Sequence, residues 1–287
     1  MKSGYDHLNI LKASGNREPF SKEKLRSSLM RSGALPAVVD EIEQKVLDGF
    51  YEGISTAEIY RKAFNLLKQK KKGHAAKYKL KNAIMELGPT GFPFEKFIAR
   101  LFQRMGYITE TGKILAGKCV DHEVDVIAHN DSRQLMVECK LHQQKGTVCD
   151  VKIPLYISAR FRDIKEQMDM GGKEKQHLEG WLVTNTHFTK DAMSFGICSG
   201  LKLMSWDFPE NNSLRLLVDQ YGLHPVTCLT TLTKYEKQQL LEKGIVLCAD
   251  LAGNQAMLKH LIHLERVAKV NEECGHLTGL GPSQGQE

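Results

Sequence analysis

Two apolar runs joined by a short polar segment dominate residues 122–140, which read HEVDVIAHNDSRQLMVECK. Their length and their β-branched residues predict two strands of an antiparallel hairpin. Asp125 lies within the first run, and Glu138 and Lys140 lie at the end of the second. Because strand side chains alternate between faces, Glu138 and Lys140 share one face, and the hairpin can place Asp125 beside Glu138. The pattern predicts two acids that converge in a largely buried strand pair.

Converging carboxylates of this kind indicate a cation site. Two carboxylates at close range repel each other and partly protonate unless a cation lies between them, and oxygen ligands suit Mg²⁺ or Mn²⁺. Lys140 could orient or deprotonate water, or stabilise charge on a phosphoryl oxygen, so the three groups together suit metal-assisted phosphodiester hydrolysis. The alternative is a surface hairpin with a charged face. The apolar residues of the pair leave few exposed positions for such a face: Val124, Val126, Ile127, Leu135, Met136 and Val137.

A zinc site is a second alternative for the same region. Cys119 and His122 form one Cys-x-x-His pair, and Cys139 and His142 form another. In a continuing strand Cys139 would face away from His142, so one metal ion could not easily use both. Cysteine as a small core residue is the favoured interpretation.

The chain changes texture near residues 88–93, where ELGPTGFP supplies two glycines and two prolines. Residues 21–87 contain amphipathic segments that predict several short helices, with Ser21 and Ser55 or Thr56 as helix starts. From Phe94 onward a helix is followed by strand-like runs, which predicts a sheet with helices packed on it. Residues 226–267 return to a helical pattern, with one helix over NQAMLKHLIHLERVAKV, and residues 276–287 are predicted to be disordered.

Composition bounds the setting of the protein. The sequence has no apolar run long enough to cross a membrane and a polar N-terminus, so we expect a soluble, cytoplasmic protein. The net charge is +6, and the first 88 residues alone carry +7. Seven lysines fall between Lys68 and Lys81, a cluster that could attract DNA or nucleotide phosphates or could be a solvated helix face.

The segments GFPFEKFIARLFQRMGY, VDVI, VECK and GWLVTNTHFTKDAMSFGICSGLKLMSW, in this order, resemble the Mrr-like branch of the PD-(D/E)XK restriction endonucleases. The resemblance covers residues 91–207. It implies Mg²⁺-dependent DNA cleavage, with Glu95 as the acid of the first helix, Asp125 as the metal-binding aspartate and Glu138 with Lys140 as the E-x-K pair. Metal ligands would be Asp125, Glu138 and the carbonyl of Cys139. Asp121 or Glu123 could be a further ligand.

The N-terminal segments ILKASGNREPFSKEKLRSSL, GISTAEIYRKAFNLL and YKLKNAIMEL resemble an ATP-cone, a small nucleotide-binding domain. The resemblance covers about residues 8–88 and implies that Lys12, Glu18, Lys24 and Thr56 contact ATP or dATP. The sequence contains no G-x-x-x-x-G-K-[ST] loop, so the nucleotide is expected as a bound regulator.

The sequence thus predicts an α/β protein with four parts. These are an all-helical ATP-cone over residues 1–88, a mixed-sheet nuclease domain over 89–212, a helical region over 213–275, and the tail. The C-terminal helices weakly resemble a helix-hairpin-helix around Gly244, but packing or dimerisation is the preferred role. Double-strand cleavage with one site per chain would require a homodimer. The alternatives are an inactive nucleotide-sensing DNA-binding protein and a nuclease for RNA or single strands.

Overall fold

The computed structural model describes residues 8–170, 177–251 and 255–279 of the 287-residue chain. The fold divides into two compact units. Among the described residues, one unit combines residues 8–83, 224–238, 248–251 and 255–279. The other contains residues 84–170, 177–223 and 239–247. Within the described ranges, no helix combines the length and the apolar character needed to cross a membrane.

The N-terminal unit begins with a small hairpin, so the prediction of an all-helical domain was wrong. Strands β1 (Asn9–Leu11) and β2 (Arg17–Pro19) pair antiparallel, with Ile10 opposite Glu18. Gly15 turns the chain between them with a φ of +86°. Three-residue strands are too short to show the alternation that identifies a strand in sequence. Five helices follow: α1 (Lys22–Arg31), α2 (Pro36–Leu47), α3 (Thr56–Lys70), α4 (Lys72–Tyr78) and α5 (Leu80–Met85).

Both predicted serine caps are confirmed. Ser21 Oγ accepts a hydrogen bond from the Lys24 N–H at 3.2 Å and starts α1, and Ser55 Oγ accepts one from the Glu58 N–H at 3.1 Å and starts α3. Each side-chain oxygen satisfies a backbone donor that the first helical turn leaves without a partner. The helices then bury their apolar faces in one core, whose fully buried members include Leu29, Val39, Val46, Ala63 and Leu67.

The second unit is built on a five-stranded mixed sheet in the order β3-β4-β5-β7-β9. Its strands are β3 (Ile108–Ala116), β4 (Asp121–His129), β5 (Arg133–Lys140), β7 (His177–Thr184) and β9 (Lys202–Met204). The first three are antiparallel, and β5, β7 and β9 are parallel. Strands β6 (Val148–Cys149) and β8 (His187–Phe188) form a separate two-stranded parallel sheet. Between residues 92 and 221 this unit also contains the helices α6 (Phe92–Arg104), α7 (Lys152–Met170), α8 (Lys190–Cys198) and α9 (Leu214–Tyr221).

The centre of this sheet is buried on both faces. Leu135, Met136 and Val137 of β5 are all fully buried although adjacent side chains point to opposite faces. One cover is α6, whose Phe102 ring lies 5.4 Å from the Trp181 ring of β7 in an edge-to-face contact. On β5 the charged residues are confined to the strand ends, whereas Asp125 lies in the middle of β4 and is half-buried.

The C-terminal part contains a 3-10 turn (Val226–Cys228) and four helices: α10 (Lys234–Glu242), α11 (Cys248–Leu251), α12 (Gln255–Leu261) and α13 (Leu264–Thr278). The five leucines predicted as core are buried: Leu229, Leu232, Leu240, Leu241 and Leu251.

The predicted single helix around residues 254–270 was wrong, because α12 and α13 are separated at Ile262 and His263. Leu258 and Val267 are nine residues apart and would lie on opposite sides of one continuous helix. The break lets both side chains be buried. Residues 276–278 belong to α13, so the predicted disordered tail begins too early. Its remainder from residue 280 lies outside the described residues.

Candidate active site

Asp125 and Glu138 lie on adjacent antiparallel strands. Val126 of β4 is paired with Val137 of β5, so the next step along the ladder sets Asp125 opposite Glu138. The Asp125 carboxylate accepts a 2.7 Å hydrogen bond from the Cys139 N–H, which fastens it to β5 at this point. The predicted hairpin is therefore present, and it brings the two acids together as the alternation of strand side chains requires.

Lys140 ends β5 on the same face as Glu138. Its carbonyl accepts a 2.8 Å hydrogen bond from Thr184 Oγ1 at the end of β7, which fixes the backbone that carries both residues. A recess of about 470 Å³ opens beside Lys140 and is lined largely by the following segment, including His142, Gln143 and Thr147. The lysine thus borders a space that a ligand can enter.

Glu95 lies in the first turn of α6, as the resemblance implies. Partial burial and the negative charges of Asp125 and Glu123 raise the pKa of Glu95 to about 7. Glu123 precedes Asp125 by two residues in β4 and so shares its face. The structure therefore brings α6 and the strand pair into one acidic neighbourhood.

The two central acids also hold their protons more tightly than ordinary carboxyls. Burial, and then the charge of Asp125, raise the pKa of Glu138 to about 7, although Arg160 and Lys140 oppose the rise. Burial raises the pKa of Asp125, and its hydrogen bond from the Cys139 N–H acts in the opposite direction. Mutual repulsion of this kind is relieved when a cation binds between the carboxylates.

The donor chemistry fits a hard divalent cation. The carboxylates of Asp125, Glu138 and Glu95, together with the carbonyl of Cys139, offer only oxygen, which suits Mg²⁺ and Mn²⁺. These groups do not form a complete coordination sphere. In the parts of the chain that the structure describes, no group of three or more His, Cys, Asp or Glu side chains is placed to hold a metal ion. Glu138 pairs with Arg160, with Glu138 Oε2 2.7 Å from Arg160 Nη1.

Sequence reasoning missed Arg160, which lies in α7, 22 residues after Glu138. No spacing rule links a strand acid to a helix residue that far along the chain. Its only sequence signal is a cationic residue within a helix that is otherwise expected to pack on the sheet. The Arg160 and Glu138 side chains are 13% and 19% exposed, so the pair is mostly withdrawn from solvent.

The residues of the alternative zinc site have other partners. The His122 ring nitrogen Nε2 lies 2.8 Å from Asp163 Oδ2 of α7. The backbone of His142 exchanges two 2.8 Å hydrogen bonds with the Asn185 side chain. The contact with Asp163 accounts for the His122 ring without a metal. The bonds at His142 involve only its backbone, and within the described residues its ring Nε2 is buried without a hydrogen-bond partner. Asp121, the other acid considered as a ligand, is exposed at the start of β4.

Three of the four residues expected to contact nucleotide lie around the N-terminal hairpin. Lys12 Nζ lies 3.2 Å from Glu18 Oε2 across the turn. An isolated bridge between Leu11 and Ser55 brings the end of β1 beside the start of α3, where Thr56 lies. Lys24 lies in the first turn of α1. The structure therefore brings Lys12, Glu18 and Thr56 to one end of the hairpin, next to a helix N-terminus that favours anions.

Three family models match the chain in sequence order. ATP cone domain matches residues 8–84, restriction endonuclease (the Mrr catalytic domain) matches residues 89–207, and AF1548-like, C-terminal matches residues 224–278. The first two confirm the resemblances that the sequence suggested, in the predicted order. The third was not predicted, since the C-terminal helices show only a packing pattern.

Two relatives each match about two thirds of the chain. An uncharacterized protein of Archaeoglobus fulgidus is 30% identical over 184 residues, which is 63% of this chain and 100% of that protein. The crystal structure described as "Protein of Unknown Function AF1548" is 29% identical, with a TM-score of 0.55, and covers 66% of this chain and 99% of its own. This chain therefore belongs to the family of the Archaeoglobus fulgidus protein, and it joins an ATP cone domain to an Mrr-type restriction endonuclease domain.

Proposed function

We propose that the protein is a Mg²⁺-dependent endodeoxyribonuclease of restriction type whose activity responds to ATP or dATP. The observation that carries the proposal is the convergence of Asp125 and Glu138 beside Lys140, inside the region matched by the restriction endonuclease model. Two acids and a lysine on largely buried strands are costly to maintain for stability alone.

The cation would be held by Asp125, Glu138 and the Cys139 carbonyl, and when bound it supplies positive charge to a phosphate oxygen. Lys140 would position or activate the attacking water, as a cation that stabilises the hydroxide character it develops. Glu95, with a pKa of about 7, can hold or release a proton near neutral pH and orients the water or the metal shell. In-line attack by water on phosphorus breaks the bond to the leaving oxygen.

The N-terminal unit would bind the nucleotide through Lys12, Glu18, Lys24 and the start of α3 at Thr56. A phosphate chain suits this position because lysines and a helix N-terminus both favour anions. The proposed partners are thus DNA and a nucleotide, with a homodimer needed to cut both strands. Such an enzyme would act in the cytoplasm, where it meets intracellular DNA.

Labelled substrates test the reaction and its substrate class together. Double-stranded DNA, single-stranded DNA and RNA of one sequence should be incubated with the purified protein in Mg²⁺, with a parallel series in EDTA. The proposal expects internal cuts in double-stranded DNA that EDTA abolishes. If only RNA or single-stranded DNA were cleaved, the protein would be a nuclease with that substrate and not one for double-stranded DNA. Binding of DNA without cleavage would favour the inactive nucleotide-sensing protein.

The raised pKa values of Glu138 and Glu95 lead to a prediction of how metal affinity depends on pH. Glu138 and Glu95 have pKa values of about 7, so each is mostly protonated at pH 6 and mostly ionised at pH 8. Because only the carboxylate binds a cation, Mn²⁺ affinity should rise about tenfold from pH 6 to pH 8 for one required ionisation. Calorimetric titration with Mn²⁺ at both values measures this. An affinity independent of pH over that range would contradict the assignment of these acids as ligands.

The nucleotide site makes a separate prediction. Lys24→Ala should weaken ATP binding by about tenfold or more, since a hydrogen bond to a charged group contributes roughly 1.5–3 kcal/mol. Lys45→Ala is the matched control, because Lys45 is an exposed lysine of α2, outside both the proposed site and the lysine cluster. Titration of a fluorescent ATP analogue compares them. Equal losses in the two variants would indicate general charge attraction, and no loss at Lys24 would remove it from the site.

A further inference from the structure

Arg160 is held in place by three contacts beside the proposed catalytic acids. Its Nη1 donates to Glu138 Oε2 at 2.7 Å, and its Nη2 donates to the backbone carbonyl of Glu123. The guanidinium carbon lies 5.5 Å from the centre of the Tyr156 ring, one helical turn earlier in α7. Both strands that carry the acids are therefore linked to one guanidinium group.

The helix that carries Arg160 is itself anchored to the start of β4. Asp163, one turn after Arg160, accepts hydrogen bonds from the Cys119 N–H at 3.0 Å and the Val120 N–H at 3.4 Å. It also contacts the ring of His122 at 2.8 Å. These bonds fix α7 on the strand pair independently of Glu138. Arg160 would consequently remain at the site if Glu138 acquired another partner.

The charges of the proposed active site are better balanced when Arg160 is included. Glu95, Asp125 and Glu138 are acids of the proposed site, and Lys140 is the positively charged residue that the sequence predicts there. A mostly buried guanidinium adds the second positive charge, and a buried charge of this kind requires a partner. Arginine also has the planar, forked donor set that matches two oxygens of a phosphate, which lysine lacks.

We propose that Arg160 is a second cationic residue of the active site, which pairs with Glu138 before a divalent cation binds and donates to the substrate phosphate afterwards. This inference rests on the proposed nuclease function. In the first state Arg160 competes with the cation for Glu138. In the second state Glu138 would bind the cation. The N–H groups of Arg160 that no longer donate to Glu138 would then stabilise the negative charge that develops on the phosphate during attack.

The two roles predict changes of opposite sign in one variant. Arg160→Met removes the competitor for Glu138, so affinity for Mn²⁺ in the absence of DNA should rise by roughly three- to tenfold, as expected on loss of one nearby positive charge. The same variant loses a donor to the phosphate, so kcat for DNA cleavage should fall by about 10²–10³-fold. A residue that only supported the fold would weaken metal binding and cleavage together.

The experiment uses the full chain with three substitutions. Arg160→Met is compared with Arg162→Met, which makes the same change at an exposed arginine of α7, and with Arg160→Lys, which keeps the charge but loses the fork. Mn²⁺ affinity is measured by calorimetry without DNA, and cleavage of a labelled duplex gives kcat and KM. Circular dichroism checks the fold. Should Arg160→Met not fold, Arg160→Lys decides, with Mn²⁺ affinity near the parent value and an intermediate kcat.

Tighter Mn²⁺ binding with slower cleavage supports the inference. Mn²⁺ affinity no higher than in Arg162→Met overturns the competition for Glu138, and unchanged kcat overturns the contact with phosphate. If the parent protein cleaves no nucleic acid, the proposed function and the contact with phosphate both fail. The Mn²⁺ titration then still decides the pairing with Glu138, because it does not depend on cleavage.

Discussion

Replacing Asp125 by Asn should lower the rate of DNA cleavage by about 10³-fold and weaken binding of the divalent cation. Asp125 lies one residue beyond the Val126–Val137 pair that ends the ladder, its charge acts on Glu138, and it is the proposed first ligand. Asparagine has the same shape and retains an oxygen that can accept the 2.7 Å hydrogen bond from the Cys139 N–H. The substitution therefore removes the negative charge with little expected change in the fold. Single-turnover cleavage and Mn²⁺ titration measure the two effects.

Asp131→Asn is the matched control for this variant. Asp131 is an exposed aspartate in the turn between β4 and β5, so the same change there alters the same hairpin outside the acidic face. Its cleavage rate and its metal affinity should equal those of the parent protein. If Asp125→Asn cleaved DNA as fast as Asp131→Asn, Asp125 would not be a ligand of a metal ion that cleavage requires.

Lys140→Met should slow cleavage by about 10²–10³-fold while cation affinity is retained or increased. The lysine is proposed to act on water and not to hold the metal, and its removal takes away a positive charge near the acids. This pattern distinguishes it from Asp125→Asn, which should lose both properties. The backbone of Lys140 remains fixed by the 2.8 Å hydrogen bond from Thr184. Cleavage kinetics and Mn²⁺ calorimetry on the same preparation separate the two roles.

Lys152→Met provides the comparison, since Lys152 is exposed at the start of α7. A general loss of attraction for DNA would appear as a higher KM in both variants. Loss of a catalytic group should lower kcat in Lys140→Met alone. A Lys140→Met protein with parental kcat would remove the lysine from the mechanism and leave only the acids.

The acid pair could be predicted from sequence because two local rules decide it. Side chains alternate along a strand, and a short polar segment between two apolar runs indicates a hairpin. Together they place Asp125 opposite Glu138 and put Lys140 on the same face without knowledge of the rest of the fold. The first helix of the nuclease domain was equally accessible, because its apolar residues recur with helical spacing through Phe102.

The elements that sequence did not reveal depend on contacts between distant segments or on very short runs. Arg160 reaches Glu138 only after α7 has packed on the sheet, and its position is fixed there by Asp163 bonding to the turn before β4. Strands β1 and β2 have three residues each, too few for a period to be visible. The break before α13 was in principle detectable, because Leu258 and Val267 fall on opposite sides of a continuous helix.

The lysine cluster between Lys68 and Lys81 shows why charge counts alone do not assign a binding surface. Lys70 Nζ lies 2.7 Å from Glu41, and Lys79 donates to the Thr227 carbonyl at 3.1 Å. These two lysines contribute to contacts within their own unit. An attraction of the cluster for phosphates remains a prediction for the exposed members, and Lys68 is one of them.

Digestion of supercoiled plasmid by the purified protein tests the central claim most directly, with Mg²⁺ and with EDTA, with and without ATP, and with Asp125→Asn in parallel. Methylated and unmethylated plasmid should both be used. We expect nicked or linear DNA from the parent protein in Mg²⁺, and a cleavage rate that changes when ATP is added. The DNA should stay intact in EDTA and with Asp125→Asn. Cleavage that persists in Asp125→Asn, or bound but intact plasmid in every reaction, would contradict it.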